Sequence, residues 1–101
     1  MGEVKVENVM VDESETIIMD STEVPSDKDK KFEVNNGESA IEAKAYSSPD
    51  GQSWEVKDTR QIEPNNSNVL QVDKNMYIFV KLTGRTLRPR EKSIVSATLA
   101  W

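Results

Sequence analysis

The chain has 101 residues, the length of one domain and enough for a single hydrophobic core. Its apolar fraction is only 36% against 31% charged, with a net charge of −5. The core must therefore be thin, which suits two packed sheets whose strands each turn only alternate side chains inward. Cysteine and histidine are both absent. That removes a disulfide framework, thiolate metal sites, and the commonest nucleophiles, general bases and transition-metal ligands. No cofactor or metal is expected, and an enzyme is the least favoured class.

The first residues, Met1 to Lys5, show no basic segment followed by an apolar stretch, and no apolar run approaches membrane-spanning length. A soluble product is expected, cytoplasmic or virion-borne in preference to secreted. In chain order, Val4, Val6, Val9 and Val11 predict a first strand whose alternation breaks near Asn8. Asp12 to Glu15 reads as a turn and Thr16 to Met19 as a second strand, buried on both faces or at a sheet centre. Residues 20–31 read as a polar loop broken by Pro25. Phe32 and Val34 open a third strand that ends at Asn35-Asn36-Gly37, a strong turn signal.

From Ala40 to Tyr46 the alternation is clear, with Ile41, Ala43 and Ala45 on one face. Helix competes here because Ala and Glu favour it, but the Ser-Ser-Pro-Asp-Gly turn downstream decides for strand. Asp50-Gly51 supplies the positive φ of a tight reversal, with Tyr46 and Trp54 at its shoulders and Trp54 and Val56 on the return strand. Arg60 to Glu63 reads as a short edge piece. Val69, Leu70 and Val72 begin another strand, and Met76 to Leu82, the most apolar stretch, a central one. Thr83 to Glu91 reads as a basic connection, and Ile94 to Trp101 as the last strand. Eight short strands at even spacing predict one all-β domain, residues 1–101, built as an antiparallel sandwich of jelly-roll, Ig-like or galactose-binding-like type. The expected core is led by Val4, Val6, Ile17, Phe32, Ile41, Trp54, Leu70, Ile78, Val80, Val95 and Leu99.

The run Ser48-Pro49-Asp50-Gly51-Gln52-Ser53-Trp54 resembles the S-x-D-G-x-x-W segment of discoidin-like (F5/8 type C, galactose-binding-like) β-sandwiches. Tyr77 to Leu82 is similar to their later R-Y-V-R-L strand. The resemblance implies a binding domain for glycans, lipids or proteins, with the tryptophan packed behind the turn. A sialidase Asp-box needs one more residue between Asp and Trp and normally repeats, so it is set aside.

Tyr46, Asp50 and Trp54 are thus candidate ligand contacts, with hairpin packing as the plainer role for both aromatics. The acidic turns Asp12 to Glu15 and Asp27 to Lys30 lack calcium-loop order, and interleaved lysines oppose a cation in the second. A calcium site would instead need Asp50, Asp58 or Asp73. Charge is divided along the chain: residues 1–42 hold twelve acidic and four basic side chains, and residues 43–101 nine basic and six acidic. Arg85, Arg88 and Arg90 lie in the most basic stretch. They serve either as solvated gatekeepers or as a patch that docks on the acidic half of another copy. Overall acidity and the lack of interleaved aromatics argue against nucleic acid. The expected function is a non-catalytic structural or adhesion module acting through a protein partner or self-association, of virion or cell-surface type. A glycan-binding module is the alternative, and a terminal Trp101 is either tucked into the core edge or offered to a partner.

Overall fold

The computed structural model describes residues 2–73 and 78–101. Eight strands follow one another: β1 (Glu3–Val11), β2 (Thr16–Glu23), β3 (Lys30–Asn35), β4 (Ile41–Ser48), β5 (Glu55–Ile62), β6 (Ser67–Val72), β7 (Phe79–Thr86) and β8 (Ser93–Ala100). They form two four-stranded antiparallel sheets in the orders β1-β8-β3-β6 and β2-β7-β4-β5. Successive strands cross between the sheets at every step except β4 to β5, so the expected β-sandwich is wound as a jelly roll. Among the described residues, the Asp50-Gly51 reversal is thus the one hairpin joining neighbours within a sheet.

Alternation decides which side chains go inside. Phe32 and Val34 from β3, Ile41, Ala43 and Ala45 from β4, and Val95 and Leu99 from β8 are each fully buried. Leu70 and Val80, also expected in the core, are buried with them. The break in alternation along β1 is a bulge: its register against β8 shifts between Val6 and Val9, and Asn8 takes a φ of 57°. One extra residue returns Val9 and Val11 to the inner face, while Met10 turns outward. On β4 the tertiary pairing overrides helix propensity, because the strand is bonded to both β5 and β7.

Several expectations need correction. Ile17 is 50% exposed; register shifts along the edge strand β2 bury Ile18 and Met19 side by side in its place. Part of their room comes from the neighbouring strand β7 of the same sheet, where a side chain at Gly84 would stand 2.8 Å from Ile18 Cδ1. Trp54 lies just before β5 and is only half-buried, and Ile78 just before β7 is likewise partly exposed. Val4 and Val6 pack partly against the core. The supposed loop of residues 20–31 is shorter, since β2 runs to Glu23 and β3 starts at Lys30. Arg60 to Ile62 is the end of β5, and β7 continues through Arg85 to Thr86 before the chain turns. Of the apolar stretch at 76–82, Met76 and Tyr77 lie outside the described residues. The remainder enters β7, which is central as expected. Trp101 is tucked in: its backbone exchanges two 3.0 Å hydrogen bonds with Gly2 and its ring packs against the core.

Asn36 joins the two sheets at one end of the sandwich. Its Nδ2 donates to the carbonyls of Ser39 (2.8 Å), Ile62 (3.0 Å) and Glu63 (3.2 Å), while its Oδ1 accepts from Gly37 N–H and Ser93 Oγ. Replacing Asn36 by Asp keeps the shape and removes both donors, leaving carbonyls unsatisfied beside a new charge. A loss of about 2 kcal/mol or more is expected in denaturant unfolding.

Lys30 is the counterexample to the alternation rule. It starts β3 on the inward side, is fully buried, and among the described residues its Nζ has no hydrogen-bond partner. Burial lowers its pKa from the ordinary 10.5, opposed by the nearby charges of Asp29 and Asp27. The unfolded chain therefore binds this proton more tightly, so the penalty is relieved as pH rises from the lowered value toward 10.5. Lys30→Met is expected to raise stability at neutral pH by about 1 kcal/mol, a Tm gain of about 4–8 °C. It is also expected to flatten the alkaline stability slope, and thermal melts at pH 7 and pH 10 check both.

Candidate functional site

The outward positions of the β2-β7-β4-β5 sheet carry a polar and aromatic cluster. Tyr46 on β4 is opposite Lys81 on β7, so both point to the same outer face. The Lys81 ammonium lies 4.5 Å from the Trp54 ring centroid and 5.1 Å from that of Tyr46. One lysine thus grips both shoulders of the hairpin, with cation–π attraction of about 0.5–1 kcal/mol per ring at such sites. The Tyr46 hydroxyl donates to Glu15 Oε2 at 2.7 Å, and Thr83 Oγ1 donates to the same oxygen at 3.0 Å. The loop before β2 is thereby tied to the face of β4 and β7.

These contacts move the titrations away from neutrality. The Tyr46 hydrogen bond, supported by Thr83 and by Lys44 and Lys81, lowers the Glu15 pKa against the effect of burial. Burial, then the bond to Glu15, raises that of Tyr46. The carboxylate stays ionised and the phenol stays protonated around pH 7, a pair suited to holding structure and poorly suited to proton transfer.

Asp50 is spent on its own loop. Its Oδ1 accepts from the backbone N–H of Gln52 (2.8 Å) and Ser53 (2.9 Å) and from Ser48 Oγ (3.0 Å). Ser48 Oγ in turn accepts from Gly51 N–H at 2.9 Å. The Ser53 and Gln52 bonds lead in lowering the Asp50 pKa. Gly51 sits at φ 80°, a conformation that only glycine takes without strain, which explains the Asp-Gly pair.

The three arginines separate. Arg85 is on β7, not in a loop, and its Nε lies 3.4 Å from Glu42 Oε1 on the neighbouring strand. Arg88 and Arg90 are in the connection to β8, with Arg88 paired to Glu91 at 3.9 Å and its side chain 85% exposed. Arg90 takes a φ of 66°. Thr86 organises this tip, its hydroxyl bonding to the carbonyls of Arg88 and Glu91 at 3.2 Å each. The tip and the hairpin lie at opposite ends of β7, a span of about 25 Å for eight residues. The candidate contacts therefore form two separate patches.

The carboxylates considered for calcium are dispersed. Asp58 accepts from Gln71 N–H across the sandwich edge at 2.9 Å and pairs with Arg60, while Asp73 accepts from Gln71 Nε2. Among the described residues, no group of three acidic side chains is placed to hold a metal ion. Sequence reasoning missed Glu15 and Lys81 as members of the Tyr46 cluster. The usable signal was alternation itself, since Lys81 and Thr83 share the outward phase of β7.

Acid titration should report this cluster. In the fold Glu15 and Asp50 release protons more readily than in the unfolded chain. Their stabilisation is present above the ordinary carboxylate range and is lost as pH falls through the lowered folded values. Glu15→Gln is expected to flatten the decline in Tm between pH 5 and pH 2, and Tyr46→Phe to flatten it partly. A Glu15→Gln variant with the wild-type acid slope would contradict the assignment.

No protein-family model matches the chain, and no curated protein matches it. Similar solved structures share its fold. The crystal structure of PirA aligns with a TM-score of 0.60 at 13% identity, over 96% of this chain and 89% of that one. A structure of Bacillus endospore appendages, described as a novel family of disulfide-linked pili, aligns with a TM-score of 0.54 at 14% identity, over 97% of this chain and 83% of that one. Both likenesses span nearly the whole jelly roll.

Proposed function

We propose that this chain is a non-catalytic assembly subunit that acts through protein–protein contact, chiefly with further copies of itself. The observation that carries the reading is the placement of large exposed apolar side chains on both broad faces of the sandwich. Met10 (50% exposed) and Val69 (40%) point out from the β1-β8-β3-β6 sheet, and Ile17 and Val56 (50% each) from the other. A subunit with contact surfaces on two opposed faces is divalent and can propagate an open array. The likeness to a pilus subunit over almost the entire chain supports the same reading. Those appendages are described as disulfide-linked, and this chain has no cysteine, so its contacts would be non-covalent.

The exposed tip with Arg88 and Arg90 is a secondary contact on this reading, offered to the acidic half of a neighbouring copy. The glycan alternative is weaker because its groups are already engaged: Tyr46 with Glu15, Asp50 with loop amides, and Trp54 with Lys81.

Light scattering across concentration tests the proposal. The mass is expected to climb above the 11.4 kDa of one chain between about 10 μM and about 1 mM, the range of weak to moderate association. A Val56→Lys/Ile17→Lys variant is expected to associate less. A wild-type mass fixed at one chain throughout that range would overturn the assembly reading.

A further inference from the structure

The outer face of the β1-β8-β3-β6 sheet carries a regular charge pattern. Its register places Glu3, Ala100 and Lys31 in one cross-strand row and Lys5, Thr98 and Glu33 in the next. All six are outward positions of their strands. The small Ala100 and Thr98 form the floor of a shallow depression of about 330 Å³, and the four charged residues are its walls. With strands about 4.8 Å apart and alternate residues about 7 Å apart, the four charges mark a rectangle of about 10 by 7 Å. Negative and positive corners alternate around it.

This arrangement is complementary to itself. Suppose that a second copy is laid face to face on the first by a two-fold axis in the plane of the contact. If the axis runs along β8, Glu3 meets Lys31 of the other copy and Lys5 meets Glu33. If the axis runs across the strands, Glu3 meets Lys5 and Lys31 meets Glu33. Either orientation sets four opposite-charge pairs and no like-charge pair, because each contact in a two-fold interface occurs twice. Charges within the chain compete little. Lys5 reaches Glu3 only at 3.8 Å with both side chains more than half exposed, and among the described residues Lys31 and Glu33 enter no ion pair. The floor is low enough for the walls to interdigitate, and Val69 at the end of the second row adds apolar contact.

We propose that this face is a self-recognition surface on which a second copy of the chain docks through the four-charge pattern of Glu3, Lys5, Lys31 and Glu33. The inference rests on the assembly reading above and names the contact that reading leaves open. Charge matching of this kind mainly sets orientation and selects the partner, with the adjoining apolar residues adding contact area.

Three variants test it: Glu33→Lys, Lys5→Glu/Glu33→Lys and Lys31→Glu/Glu33→Lys, compared with the wild type by light scattering and sedimentation. The altered side chains are exposed, so the fold should persist, and thermal melts check that it does. Glu33→Lys turns two attractive contacts per dimer into repulsive ones and is expected to weaken association about tenfold or more. It also makes the chain less negative, which by itself would favour association, so net charge cannot mimic the effect. One double variant is expected to recover wild-type association: Lys5→Glu/Glu33→Lys if the axis follows β8, Lys31→Glu/Glu33→Lys if it crosses. Both doubles have the wild-type net charge. Association unaffected by Glu33→Lys, or restored by neither double, overturns this contact while leaving self-assembly standing. A wild-type chain that remains at 11.4 kDa at every concentration overturns both.

Discussion

The side-chain amide of Asn36 is the constraint on which one end of this sandwich depends. Two crossing layers of strands need a point where the backbone leaving one sheet is secured to the other, and turn carbonyls there must find donors. Asn36 follows β3, yet it donates to the carbonyl of Ile62 at the end of β5 and to that of Ser39 just before β4. Ser93, the first residue of β8, completes the knot by donating to Asn36 Oδ1 and accepting from Gly37 N–H. Gly37 is required by space, since a side chain there would stand 2.5 Å from the Ile94 carbonyl oxygen. Four strands are thus placed by one polar cluster, which also anchors the end that carries the Arg88–Arg90 connection.

Elsewhere the structure compensates for a small apolar inventory. The missing side chain of Gly84 on β7 lets Ile18 of the adjacent strand β2 lie over it on the inner face. Asp58 reaches across the edge to the amide of Gln71, joining β5 to β6 where the sheets would otherwise only abut. At the other end, the paired backbones of Gly2 and Trp101 hold the first and last described residues together. The buried ammonium of Lys30 is a local conflict within this scheme, because its strand phase points it inward whatever its chemistry.

The same economy bears on function. Side chains that a sequence reader would assign to a ligand, Tyr46, Asp50 and Trp54, are engaged in holding the hairpin and the loop before β2. What the molecule leaves available are its broad faces, one with a self-complementary charge pattern and both with half-exposed apolar residues. On the proposed reading a jelly roll with two such faces is a building unit, and without cysteine its contacts would rest on area and charge.

The residues alone determined the class and most of the strands. Val4-x-Val6-x-x-Val9-x-Val11 contains its own bulge, because one surplus residue between valines has no other way to keep them on one face. The alternation around Ile41, Ala43 and Ala45 and the Asp50-Gly51 reversal likewise specify β4 and its hairpin through local geometry. Only tertiary structure decided that Ile17 would be exposed, since two register shifts on an edge strand depend on β7 rather than on β2 itself. It also decided that Arg85 belongs to a strand and pairs with Glu42, and that Asn36 bonds to residues 26 and 27 positions away. The charge pattern of Glu3, Lys5, Lys31 and Glu33 was equally invisible along the chain. It exists only because β8 inserts between β1 and β3, which sets residues 3 and 5 in register with residues 31 and 33 on one surface.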